Sequence, residues 1–142
     1  LSQFLLYPSY NYTNKIKYLN YFKEEYWDFV KANAFPKKEN DKFEIKYFVE
    51  VKKIISKSQR QIKNLDKYHI WANNHVNSYL KGYKQQKKAY IWIVRVYKLK
   101  KAYMAEINPA VRYVNLKDRV SLEGIEPVLN DSEFQKITEK IV

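Results

Sequence analysis

A run of cations and tyrosines is the most suggestive chemistry in this sequence. Lys81, Lys84, Lys87 and Lys88 alternate with Tyr79, Tyr83 and Tyr90. Lysines neutralise phosphates and tyrosines stack on unpaired bases, so the combination fits a single-stranded or looped nucleic acid. The run lies in the longest acid-free window of the chain, since no Asp or Glu occurs between Asp66 and Glu106 while nine Lys or Arg do. Arg95 falls in the same window and is a further candidate phosphate contact, although it can instead pair inside a sheet. The competing interpretation is a solvated loop whose lysines keep the protein in solution and whose tyrosines pack underneath.

Two smaller constellations follow. His69-Ile70-Trp71 places an imidazole and an indole two residues apart, on one side of the chain if the segment is extended. Trp71 is then a second stacking candidate beside Tyr83, with His69 next to it; a histidine at an element junction is more often a structural hydrogen-bonding group. His75 lies off the helical spacing that a metal face shared with His69 would need. In Glu50-Val51-Lys52, with Asp41 upstream, two carboxylates could hold Mg²⁺ while the lysine positions or activates water. The pattern resembles the D…E-x-K signature of restriction-endonuclease-like nucleases. Glu44-Ile45-Lys46 repeats the spacing a few residues earlier, as a charged solvent face would. Outside that alternative the residues assign no catalytic group, no metal and no cofactor.

Composition narrows the classes. A chain of 142 residues fits one domain with a real core, and the absence of cysteine together with only two histidines excludes a zinc or disulfide framework. No triad for nucleophilic catalysis can be assembled. Only Gly82 and Gly124 are available, which argues against a glycine-rich phosphate loop. The net charge of +12 and a pI near 9.6 favour polyanionic partners, although Lys, Asn, Ile and Tyr enrichment also arises from an AT-rich genome. Without a stretch resembling a transmembrane helix or a signal peptide, the expectation is a soluble, cytoplasmic protein without a membrane partner.

The elements that must position these groups are legible in outline. Ala89 to Tyr97 is the most apolar stretch and predicts a central strand, followed by a basic turn at Lys98 to Lys101. Phe43 to Lys52 alternates apolar and charged residues and predicts a half-buried strand. Apolar residues at Ile16, Leu19, Phe22, Tyr26, Phe29 and Val30 predict an amphipathic helix over Asn14 to Lys31, capped by Asn14 and packed on the sheet. Ser2 to Tyr7 reads as a strand ended by Pro8, Ser56 to Asn64 as a loop or short helix, Asn73 to Leu80 as a short helix ended by Gly82, and Val111 to Leu116 as another strand. A C-terminal helix is capped at Asp131 or Ser132. This order gives a single α+β domain over residues 1–142, with a mixed or antiparallel sheet; a small barrel-like sheet is compatible with it.

Three of these pieces together resemble a bacterial and archaeal family, domain of unknown function 1802. Phe4-Leu5-Leu6-Tyr7-Pro8-Ser9-Tyr10 is similar to its F-L-L-x-P-T-Y segment, His69-Ile70-Trp71 to its H-I-W element, and Arg95-Val96-Tyr97-Lys98-Leu99 to its R-V-Y-x-L. Arg112-Tyr113-Val114-Asn115-Leu116 stands where the family reads S-W-V-x-L. The order and spacing agree over residues 3 to 116. Ser9, Tyr12 and Tyr113 depart from the family's Thr, His and Trp, and its opening R-K-G-G-I hairpin has no counterpart, which predicts a fragment that lacks this hairpin. The resemblance implies a fold unit without an assigned activity. The leading expectation from the residues is nucleic-acid binding, to RNA or DNA, without catalysis. The alternatives are an Mg²⁺-dependent nuclease using Asp41, Glu50 and Lys52, and an assembly module docking on an acidic protein.

Overall fold

The computed structural model describes residues 2–6, 17–33, 42–82, 88–106, 116 and 118–142. Their elements are strand β1 (Gln3–Leu5), helix α1 (Trp27–Asn33), strand β2 (Lys42–Ser58), helix α2 (Gln59–Ile62), helix α3 (Asn73–Gly82), strand β3 (Lys88–Glu106), strand β4 (Glu126–Pro127) and helix α4 (Asp131–Ile141). Short 3₁₀ turns occupy Tyr18–Tyr21, Glu24–Tyr26 and Lys63–Tyr68. The four strands form one antiparallel sheet in the order β1-β2-β3-β4, so the fold is α+β as expected. By contact density the chain divides into two compact units, one formed by residues 1–11, 36–53 and 92–142 and the other by 12–35 and 54–91.

The first unit contains the sheet's core. β1 pairs with β2 through Gln3↔Glu50, Phe4↔Val49 and Leu5↔Phe48, and β4 pairs with β3 through Tyr97↔Pro127 and Lys98↔Glu126. Phe43, Ile45 and Val49 are all but inaccessible, as the alternation of this strand predicts. The alternation breaks at Tyr47, which is 37% exposed, and Phe48 and Val49 are then buried side by side in sequence. Ile45, Phe48, Leu99 and Ala105 form the buried cluster, covered by Tyr103, Leu116, Val120 and Ile125. The turn expected at Lys98 to Lys101 is therefore absent. Ile93, Leu99 and Ala105, all at odd positions, are buried while Lys98 and Lys100 are exposed, so the lysines hide a continuing strand.

α4 is capped by Asn130, one residue before Asp131 and two before Ser132, the caps expected for it. Asn130 accepts from the Glu133 amide (2.8 Å) and the Glu133 carboxylate accepts from the Asn130 amide (3.2 Å), a reciprocal capping box. The strand expected at Val111 to Leu116 lies outside the described residues except Leu116.

The second unit has its own small core. The segment expected as one helix from Asn14 to Lys31 consists instead, over its described part, of two 3₁₀ turns and the short α1. Its aromatic and β-branched content disfavours a long uniform helix. Tyr18 and Val30 are buried against Leu19, Tyr21, Phe22, Tyr26 and Ile70, so its apolar stripe closes largely on itself. The proposed cap Asn14 lies outside the described residues. β2 runs on to Ser58, where Ser58 and Gln61 form a second capping box that opens α2, so the loop or short helix predicted from Ser56 begins three residues late, at Gln59. α3 ends at Gly82 as predicted.

Candidate functional site

The basic, tyrosine-rich segment joins α3 to β3. Leu80, 3% exposed, fixes the inner face of α3, while Tyr79 beside it is 67% exposed. On the far side of the connection Lys88 is exposed at the start of β3, and Tyr90, two residues on and hence on the same strand face, is 72% exposed. Tyr83, Lys84 and Lys87 lie outside the described residues, as does the side chain of Lys81. Tyr79 and Tyr90 are far more open than ring residues ordinarily are.

The His69-Ile70-Trp71 segment is held by the turn opposite. The Lys23 amide donates to the Ile70 carbonyl (2.9 Å), the Ala72 amide to the Tyr21 carbonyl (2.8 Å), and Phe22 and Trp71 form a backbone bridge. The Lys23 ammonium, only 17% exposed, donates to the carbonyls of Asp66 and His69, the latter at 2.7 Å, and pairs with the Asp66 carboxylate at 3.3 Å. It thereby occupies the C-terminal end of the 3₁₀ turn Lys63–Tyr68, where the last carbonyls favour a cation, and it shares the Asp66 carbonyl with the His69 amide. The Trp71 amide donates to Nδ1 of His69 (3.1 Å), which leaves the proton of the neutral ring on Nε2. Burial, then the nearby Lys23 charge, holds the imidazole below its ordinary value.

Trp71 is 43% exposed, with its ring stacked on Phe22 (centroids 4.9 Å apart, 19° between planes). His75 lies 5.1 Å from Trp71 and 4.8 Å from Tyr21, so four rings form a continuous ladder. Sequence reasoning missed Lys23 and Phe22 because their contacts join residues far apart in the chain, and it missed the ring role of His75 because it weighed that residue only as a metal partner of His69, although its spacing of four from Trp71 is local. His69 and Trp71 are thus members of a structural cluster, with part of the indole left open.

Arg95 is engaged within the fold. Its guanidinium reaches the Asp131 carboxylate at 2.6 Å and the Leu129 carbonyl at 3.1 Å, and lies 5.6 Å and 5.2 Å from the centroids of Tyr97 and Phe134. The side chain is 13% exposed. That commitment removes Arg95 from the phosphate-contacting set.

Glu50 and Lys52 share a strand face and pair at 3.4 Å, as Glu44 and Lys46 do at 3.5 Å. The Tyr97 hydroxyl donates to Glu50, and that bond, with Lys52 and Gln3, holds the carboxyl below the usual carboxylate range. Asp41 lies outside the described residues. Among the described residues no three His, Cys, Asp or Glu come together in a way that could hold a metal ion, and no helix is long and apolar enough to cross a membrane.

No curated protein and no solved structure matches this chain. A family model described as Domain of unknown function (DUF1802) matches residues 1–140, essentially the whole length, and spans the segments that carry the F-L-L, H-I-W and R-V-Y-x-L elements. The chain belongs to that family.

Proposed function

We propose that this chain binds nucleic acid, RNA or DNA, through the connection between α3 and β3, without catalysing a reaction on it. The observation that carries the reading is the exposure of Tyr79 and Tyr90 at the two ends of a lysine-rich connection inside an acid-free stretch of nearly forty residues. Lys81, Lys84, Lys87 and Lys88 supply phosphate contacts, and Tyr79, Tyr83 and Tyr90 supply ring faces, each stacked base contributing about 1–3 kcal/mol. Trp71, already stacked on Phe22, offers only its open edge.

The test is fluorescence anisotropy of labelled single- and double-stranded RNA and DNA, at several salt concentrations and with and without Mg²⁺, with each sample checked afterwards for cleavage. Binding that weakens steeply with salt and leaves the oligonucleotide intact is the expected result. Charge reversal at Lys84 and Lys87 lowers affinity for every sequence and flattens the salt slope. No binding near physiological salt removes the reading and directs the search to an acidic protein partner.

A further inference from the structure

A second cationic site lies in the first unit, in residues that no motif marked. The C-terminal part of β3 and the segment from Arg119 to Glu123 enclose a cleft of about 580 Å³ lined by Lys100, Lys101, Tyr103, Arg119, Ser121 and Glu123, among others. Its three cations are exposed, and none has a carboxylate partner among the described residues. On this unit Lys46 pairs with Glu44, Lys52 with Glu50 and Arg95 with Asp131, while Lys42, Lys53, Lys98, Lys136 and Lys140, like the cleft's cations, have no ion pair among the described residues; what sets the cleft apart is that it brings three such cations together. Glu123 is the one carboxylate of the lining, and its backbone amide donates to the Ser121 hydroxyl oxygen (3.2 Å), which leaves the Ser121 hydroxyl proton free to donate elsewhere. Tyr103 is already committed, donating to Asp118 at 3.1 Å.

The cleft is also braced. Gly124 has φ +72°, and a Cβ placed on it would lie 2.8 Å from Cδ of Lys100. The turn at Gly124 therefore uses glycine twice, for a left-handed backbone and for room to lay the Lys100 stem against it. That contact restricts the stem and holds the ammonium near the cleft, reducing the entropy lost on binding an anion.

We propose that this cleft binds phosphate groups of a nucleic-acid strand, with Lys100, Lys101 and Arg119 as the cations and the Ser121 hydroxyl as an additional donor. The identity of the phosphate's carrier rests on the nucleic-acid reading above; the phosphate chemistry does not. Phosphate fits better than carboxylate because its oxygens point in more than two directions, so three separate cations can share its charge.

The experiment compares the full chain with Lys101→Ala/Arg119→Ala and with Lys84→Glu/Lys87→Glu, by anisotropy on the best-bound oligonucleotide between 50 and 200 mM salt. Loss of two phosphate contacts lowers the slope of log affinity against log salt in the first variant by about 1.4 on a single strand and about 1.8 on a duplex. Over this fourfold salt range that makes the salt-dependent loss of affinity about 7-fold or about 12-fold smaller, respectively. Wild-type binding with an unchanged slope in that variant overturns the inference and leaves the α3–β3 reading standing. Separately, inorganic phosphate titrated into the wild-type protein shifts the Arg119 side-chain NMR signal, and the shift is lost in Lys101→Ala. No shift overturns the site. A shift in a protein that binds no oligonucleotide overturns the strand as carrier and assigns the cleft to a small phosphorylated molecule.

Discussion

Replacing Arg95 by Met separates a structural arginine from a phosphate-binding one. The guanidinium donates to the Leu129 carbonyl, a bond from a charged group contributing about 1.5 kcal/mol. It lies near the rings of Tyr97 and Phe134, contacts of about 0.5 kcal/mol each. The 2.6 Å pair with Asp131 adds only about 0.5 kcal/mol, because that aspartate is 92% exposed and solvent screens the attraction. Against these stands the Arg95 Nε–H, buried with no acceptor, which costs about 1 kcal/mol. The net loss in Arg95→Met is then about 2 kcal/mol, or about 7 °C in the melting midpoint for a chain of this length. Urea unfolding followed by circular dichroism measures it. Affinity for oligonucleotides, measured in parallel well below the midpoint, remains within about twofold. A loss of less than about 0.5 kcal/mol together with a tenfold drop in affinity would refute the reasoning and return Arg95 to the phosphate contacts.

Other perturbations follow from the same geometry. Asn130→Ala removes the N-cap of α4 and lowers stability by about 1 kcal/mol in urea titrations, while Asn130→Asp restores it. Gly124→Ala meets a left-handed backbone and the Lys100 stem at once, and a loss of about 1–2 kcal/mol is expected, less if Lys100 swings aside. His69 is held below its ordinary value when folded, so its unfolded form binds a proton more readily. The associated stability is fully present above about pH 6.5 and disappears as pH falls through the lowered folded value, so the urea midpoint drops on acidification and drops less in His69→Asn.

The longer strands and the short helix α3 were legible in the sequence because their signals are local. Phe43, Ile45 and Val49 alternate with charges, and burial follows; α3 starts and stops close to where its polar opening and Gly82 predict. Where two local signals conflict, inspection of the sequence goes wrong. Lys98, Lys100 and Lys101 look like a turn by charge, although the spacing of Ile93, Leu99 and Ala105 is that of one strand. The apolar stripe from Leu19 to Val30 has helical spacing, but its aromatic rings pack on each other and on Ile70 through shorter turns. Nothing local reveals that Lys23 caps a turn more than forty residues away, that Phe22 stacks on Trp71, or that a cleft joins the end of β3 to Arg119.

Pairing turns a composition statistic into a statement about sites. A charge of +12 arises in any protein from an AT-rich genome, so net charge alone identifies no binding surface. Genomic bias, however, supplies lysines without regard to their neighbours, and a folded chain then sorts them. Lys23 is consumed by carbonyls and Asp66, Arg95 by Leu129 and Asp131, and Lys46 and Lys52 by glutamates two residues away. What remains for a polyanion is the subset with no such partner, which among the described residues includes Lys100, Lys101 and Arg119, and at the edge of the tyrosine-rich connection Lys88. Bias therefore predicts that neutralising a paired cation such as Lys46 and an unpaired one such as Lys101 flattens the salt slope equally, whereas the sorted surface predicts an effect at Lys101 alone. The lysines that this fold leaves unpaired are the ones whose removal a nucleic acid should register.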